Sequence, residues 1–354
     1  MGDSYAAGIG GRWLGNPAPG GGPSAFGADR ACGALVARSC SGHRVYLPGA
    51  DGAGVACGRS DVAPIRSAPL AGLGTANLAC SGAVAADLVL PAATGGASGL
   101  ASQLARLRTI TAVRPVALVA VSIGGNDLGF SRLIRGCALA WAEGRAAGCR
   151  TRAQAQVDSA LPAMRRAVTD ALQAIRRAVR SAAPDGGRAP VVVQGYPAPI
   201  PPGSRFRWGP DDPRRFLPGG CPFADADADW ASSTFTERVG KALRLAATQS
   251  GAGFLDLSQA FAGHEACAVG TARVGATGPD PVRSEWVRQL VPCCGQDVAE
   301  SLHPNALGQR AIGDCLALAW RRLVGTGSAG AGQWRCLSTA GAGPASMRLE
   351  AAGG

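Results

Sequence analysis

At 354 residues, with 47% hydrophobic and 17% charged residues, the chain is long enough for one large or two modest domains with a sizeable core. Its net charge of +11 comes almost wholly from arginine, Lys241 being the only lysine; with three tyrosines and no basic–aromatic interleaving, a nucleic-acid stacking platform is excluded. No apolar run approaches the roughly 18 residues that a membrane-spanning helix needs, so no transmembrane segment is expected.

Along the chain, the first feature is a Gly-Asp-Ser turn in "MGDSYAAG" (1–8). A long Gly/Pro-rich loop region, 11–74, leads to a short apolar run, "TANLACSGA" (75–83), that reads as a buried strand. Leu100, Leu104, Leu107 and Ile110 then make a helical stripe, followed by a second strand pattern in "RPVALVAVSIGGND" (114–127). A polar loop is expected over 128–150. Val157, Leu161, Met164, Val168, Leu172, Ile175 and Val179 mark a long helix that carries Arg165, Arg166, Arg176, Arg177 and Arg180 on a solvated basic face. "APVVVQGYP" (189–197) and "GAGFLDLSQAF" (251–261) read as two more strands, with a helix near 229–250 between them and long loops at 198–228 and 262–299. Ile312, Leu316, Trp320 and Leu323 mark the last helix, and the Gly/Ala-rich stretch from 325 reads as a weakly ordered tail pinned at Cys336. Strands alternating with helices imply a doubly wound α/β sheet, here one domain over 1–324 and a tail over 325–354.

Twelve cysteines with no Cys-x-x-Cys pair, beside only three histidines, lack zinc-site spacing and point to disulfides formed in an oxidising compartment. Cys137 and Cys149 flank one polar loop and form the expected local pair; the remaining connectivity does not follow from spacing. "GTGSAG" (325–330) matches a dinucleotide fingerprint only literally, since it follows a helix rather than a strand, and "GHEAC" (263–267) lacks the second histidine of a zinc protease. Neither a cofactor nor a metal is expected.

In open α/β sheets ligands bind beyond the carboxyl ends of the strands. There the sequence places Ser81-Gly82-Ala83, then Gly124-Gly125-Asn126-Asp127, and ahead of the last helix "ESLHPN" (300–305). Together with Ser4 these are the parts of an acyl-transfer site. Ser4 supplies a hydroxyl to attack an ester carbonyl, and His303 a base to take its proton and return it to the leaving alcohol. The backbone N–H groups of Ser4 and Gly82 and the side-chain amide of Asn126 supply donors for the developing oxyanion. Each residue also has a structural reading: Ser4 as a helix cap, Gly82 and Asn126 as turn formers, and His303-Pro304 as a helix start. His43 and His264 lie outside any such motif and read as loop histidines.

The set "GDSY", "ACSGA", "IGGND" and "ESLHPN", in that order over residues 2–305, resembles the SGNH or GDSL-type hydrolases, most nearly the secreted actinobacterial esterases and lipases. The resemblance implies a three-layer α/β/α sandwich with a parallel, flavodoxin-like sheet and long disulfide-stapled loops, one disulfide engaging Cys80. It further implies metal-free hydrolysis of carboxylic esters through an acyl-serine, with Ser4 and His303 catalytic and Ser4, Gly82 and Asn126 forming the oxyanion site. The family usually has Asp three residues before the histidine; here Glu300 stands there and is expected to orient the imidazole, with a backbone carbonyl as the alternative and Asp297 a poor substitute. In the family an apolar strand leads into the Gly-Asp-Ser turn, so this first central strand is expected to be truncated from the sequence, together with a signal peptide. The expected partner is a small-molecule or lipid ester, the expected state a secreted monomer. Two other functions use the same fold: a non-catalytic module binding cell-wall polysaccharide, which the 5% aromatic content argues against, and an acyltransferase with the same residues.

Overall fold

The computed structural model describes residues 1–18, 28–32, 44–49, 52–91, 99–145, 148–181, 189–275, 278–292, 296–326 and 332–352. Cys40, His43, Cys293, Cys294 and most of the 325–330 stretch lie outside the described residues. In chain order the elements are α1 (Ser4–Ala7), α2 (Pro64–Ser67), α3 (Gln103–Thr111), β1 (Val119–Val121), α4 (Phe130–Ala142), α5 (Arg150–Ser181), β2 (Val191–Gln194) and α6 (Asp225–Asp229). A π-helical turn then joins α6 to α7 (Thr236–Ser250), followed by β3 (Gly253–Asp256), α8 (Gln296–Glu300), α9 (Ala306–Thr326), β4 (Gln333–Leu337) and β5 (Arg348–Ala351).

The five strands form one sheet in the order β1-β2-β3-β4-β5, parallel through β4, with β5 antiparallel at the edge. Side chains alternate across it with the period of two that a pleated strand imposes. Val119, Val121, Val191, Val193 and Phe254 face α3, α5 and α7, where they bury against Leu104, Leu107, Val168, Leu172, Ile175 and Leu243. Ala120, Val192 and Leu255 face the other way, onto α9 and the segment around α2. The arrangement is the expected α/β/α sandwich. Arg166, Arg177 and Arg180 of α5 are exposed, as a solvated basic face requires.

Three of the four expected strands form, as β1, β2 and β3. The segment 75–80 does not make a ladder. Its backbone groups go to side chains instead: Arg106 Nη2 donates to Leu78 O at 2.8 Å, Arg59 Nε to Ala79 O at 2.7 Å, and Asn77 Oδ1 accepts from Ala79 N–H at 3.1 Å. Cys80 N–H donates to Gly2 O at 3.0 Å, and on its other side Gly2 bridges Ser122 in parallel, which seats the chain's first residues between 75–80 and the end of β1. Only glycine fits there: φ is +131°, and a Cβ on Gly2 would stand 1.9 Å from Ser122 O.

Two further expectations change. The span 128–150 contains helix α4, whose Leu133, Cys137 and Ala140 recur at helical spacing and are buried. The stretch read as a weakly ordered tail supplies β4 and β5; β4 pairs with β3 through Gln333, Trp334 and Arg335 and with β5 from Trp334 to Leu337, and Cys336 is bonded to Cys315 of α9. Four disulfides join described residues: Cys57–Cys80, Cys137–Cys149, Cys221–Cys267 and Cys315–Cys336. The expected local pair and the bond to Cys80 are both present. No described helix is long and apolar enough to cross a membrane.

Candidate active site

Ser4 is the first residue of α1, and Asp3 is the cap: Asp3 Oδ1 accepts from Tyr5 N–H at 3.0 Å, and Gly8 ends the turn in the left-handed region. A helix this short leaves its first N–H groups without intrahelical partners. At the other end of the chain Asn305, not His303, caps α9, its Oδ1 accepting from Leu307 and Gly308 N–H at 3.0 and 3.1 Å. His303 therefore stands just before the helix, on a turn in which Leu302 has φ +55°.

The two ends meet. His303 Nε2 lies 2.7 Å from Ser4 Oγ, and His303 Nδ1 lies 2.9 Å from Ser301 O. A carbonyl oxygen only accepts, so the proton on the ring belongs to Nδ1 and Nε2 is left to accept from the serine hydroxyl. Burial lowers the His303 pKa from 6.5 to about 4, against the backbone oxygens of Ser301 and Glu300 that favour the charged ring. The imidazole is neutral at neutral pH, the form that accepts a proton.

Glu300 does not orient this ring. Its carboxylate is fully buried on the other side of the turn, where Oε2 accepts from Trp13 Nε1 at 2.5 Å and Oε1 from Tyr46 O–H at 2.6 Å. The turn that closes from His303 N–H to Glu300 O at 3.2 Å directs the Glu300 side chain away from His303. The alternative, a backbone carbonyl, fills the position at Nδ1. His264, a residue outside the site, stacks 3.8 Å from Trp286 and meets Ser284 O through Nδ1.

Ser4, Gly82, Asn126 and His303 line one cavity of about 650 Å³. Gly82 lines the cavity with φ +84°, a conformation that glycine adopts without strain, and no atom lies within 4 Å of where a Cβ would be. Among the described residues neither the Ser4 nor the Gly82 amide donates to a protein acceptor. Asn126 spends one amide hydrogen on Ala83 O at 2.9 Å, which fixes the side chain and leaves the other. Asp127 docks the same loop by accepting from Ala85 N–H at 3.0 Å. The remaining wall is largely apolar: Ile134 and Leu139 of α4, Phe235, Val239 of α7, Leu290 and Val291.

Sequence reasoning missed the groups behind these. Tyr196 O–H donates to Asp3 Oδ2 at 2.5 Å, and Tyr5 O–H to Leu302 O at 3.0 Å. The available signal was position: Tyr196 follows β2 directly, at the carboxyl end where sites form. Among the described residues the grouping spaced for a metal is Cys137, Cys149 and Asp227, but its sulfurs share a disulfide and Asp227 accepts from Cys149 and Arg150 N–H.

The parallel sheet between two helical layers, with this cavity at its carboxyl edge, is the fold of the SGNH hydrolases. The chain belongs to the GDSL-like lipase/acylhydrolase family, whose model matches residues 50–311, a span that holds Gly82, Asn126 and His303 but not Ser4. Among solved structures it is similar in fold to an extracellular lipase from Streptomyces rimosus, at 22% identity and a TM-score of 0.51, over 90% of this chain and 96% of that one. No curated protein matches it.

Proposed function

We propose that the protein hydrolyses carboxylic esters through an acyl-serine formed on Ser4. His303 Nε2 takes the proton of Ser4 Oγ as the oxygen bonds to the ester carbonyl carbon. The carbonyl oxygen becomes an oxyanion that accepts from Ser4 N–H, Gly82 N–H and Asn126 Nδ2. When the carbon–oxygen bond to the alcohol breaks, the imidazolium returns the proton to that alcohol. Water, deprotonated by the same Nε2, then attacks the acyl carbon; the bond from that carbon to Ser4 Oγ breaks, the imidazolium returns the proton to Oγ, and the acid leaves. Ser301 O holds Nδ1–H throughout and favours the transient imidazolium.

The observation that carries this reading is the approach of His303 Nε2 to Ser4 Oγ at 2.7 Å with Nδ1 already committed. The apolar wall of α4, α7 and 290–291 fits the acyl part of the ester. The four disulfides favour an oxidising, extracellular setting. A series of aryl esters of rising acyl length tests the reading. Turnover is expected to fall about 10,000-fold or more in Ser4→Ala and in His303→Ala. Full activity in either variant would refute it.

A further inference from the structure

Tyr196 touches both halves of the proposed oxyanion site without belonging to either. Gly125 N–H donates to Tyr196 Oη at 3.0 Å, and Tyr196 O–H donates to Asp3 Oδ2 at 2.5 Å. Gly125 precedes Asn126 in the loop after β1, and Asp3 caps the turn that begins with Ser4. One phenol oxygen therefore links the loop carrying the amide donor to the turn carrying the hydroxyl. The approach at Gly125 is close, since a Cβ there would lie 3.3 Å from the Tyr196 hydroxyl. The Tyr196 ring stands edge-on to Tyr5 at 5.0 Å, and Tyr5 in turn lies 5.1 Å from the His303 ring.

We propose that Tyr196 is a positioning residue that, through Asp3 and Gly125, sets the spacing of the Ser4 turn and the Asn126 loop. The inference rests on the acyl-serine reading but assigns a group that the reaction itself does not use. Backbone bonds from Asp3 N–H to Ser122 O at 2.9 Å and from Ser122 N–H to Met1 O at 3.3 Å tie the two segments at their start. The phenol ties them further on, where the reacting atoms are. Misplacing reacting groups by about 1 Å costs roughly 100-fold in rate, so a bond at this point is worth far more to rate than to folding.

The bridge also carries a proton-dependent direction. An ionised Asp3 accepts from Tyr196 O–H on one oxygen and Tyr5 N–H on the other. Protonated, it offers its own O–H to Tyr196 and displaces the phenol proton. Burial pushes the Asp3 pKa up to about 7 against those two donors, with Asp127 adding to the rise. Burial and Asp3 hold the Tyr196 phenol well above its usual range, so it remains a donor.

The experiment measures kcat, KM and their pH dependence on an aryl ester for the wild type, Ser4→Ala, Tyr196→Phe and Asp3→Asn, and hydrogen exchange at the Gly125 amide of the wild type. Tyr196→Phe removes only the hydroxyl. Its kcat is expected to fall about 10- to 100-fold with KM within about threefold of wild type. The limb near pH 7 is expected to move upward in Tyr196→Phe, because Asp3 loses a donor to its ionised form, and to vanish in Asp3→Asn, leaving the His303 limb near 4. The Gly125 amide is expected to exchange slowly. A Tyr196→Phe enzyme with wild-type kcat, a loss confined to KM, pH limbs unmoved in both variants, or a Gly125 amide exchanging like an exposed loop would each overturn the proposal. The exchange measurement needs no variant to fold. Inactive Ser4→Ala beside fully active Tyr196→Phe strikes down this inference alone, whereas active Ser4→Ala strikes down the acyl-serine reading beneath it.

Discussion

His303 presents Nδ1 to the carbonyl oxygen of Ser301 at 2.9 Å, two residues back in the same turn, while the Glu300 carboxylate beside them is spent on Trp13 and Tyr46. The orientation of the imidazole is thus a property of the backbone. Glu300→Gln is expected to leave kcat within a few-fold of wild type, where amidating the carboxylate of a Ser-His-Asp triad costs about 10,000-fold. Its effect on stability is expected to be small, because Tyr46 O–H also reaches Ile9 O and can donate there while its oxygen accepts from the new amide NH₂. Steady-state kinetics and denaturant unfolding on the same preparation check both halves.

Asn126→Ala removes the side-chain amide proposed as an oxyanion donor and, with it, the bond to Ala83 O. A drop in kcat of about 100- to 1,000-fold is expected, equivalent to about 3–4 kcal/mol of barrier, with a much smaller change in KM. A thermal midpoint recorded beside the kinetics separates the lost donor from a loosened loop.

Cys57–Cys80 and Cys315–Cys336 should differ in what they protect. The first ties 80–82 close to the Ser4 turn, with Ser81 N–H donating to Cys57 O and Cys80 N–H to Gly2 O, both at 3.0 Å. The second joins α9 to β4 at the far side of the sheet. Replacing either pair by alanine is expected to cost about 2–5 kcal/mol of stability. Only the Cys57→Ala/Cys80→Ala pair should also lower kcat, because Gly82 moves with its anchor. Unfolding curves and kcat for the two double variants decide it.

Two groups lining the site give opposite dependences of stability on pH. The folded pKa of Asp3, about 7, stands above its ordinary 3.8, so the folded state holds more protons between those values and stability from this group is lost as pH rises through 7. The folded pKa of His303, about 4, stands below 6.5, so the unfolded chain holds more protons there; stability is complete above 6.5 and falls as pH drops toward 4. The difference in unfolding free energy between wild type and Asp3→Asn should shrink as pH rises between about 4 and 6.5, and that between wild type and His303→Gln should grow. Urea unfolding across this window reads both slopes.

Much of the frame was legible because it rests on patterns that local chemistry dictates. The apolar runs in 114–127, 189–197 and 251–261 could be buried only inside a sheet, and Val157 to Val179 only along one helix face. The segment 75–80 escaped because its apolar content resembles a strand, while long-range arginines, Arg59 and Arg106, take its carbonyls. β4 and β5 escaped because strands of five and four residues carry little periodicity, and pairing across sequence decides them. At the site, Ser4, Gly82, Asn126 and His303 do line one cavity. Glu300 went wrong for a geometric reason: a carboxylate three residues before a histidine faces it only if the turn between them allows. Tyr196 was invisible as chemistry, since a tyrosine after a strand has no motif; only its two hydrogen bonds, to segments more than seventy residues away in sequence, give it meaning.

The central claim is that Ser4 is the nucleophile, and covalent labelling tests it most directly. A fluorophosphonate reacted with the wild-type protein, followed by proteolysis and mass spectrometry, should place the adduct on the peptide containing Ser4. His303→Ala should label far more slowly, and Ser4→Ala should neither label nor turn over ester. An adduct on another serine, together with ester turnover surviving in Ser4→Ala, would contradict the account.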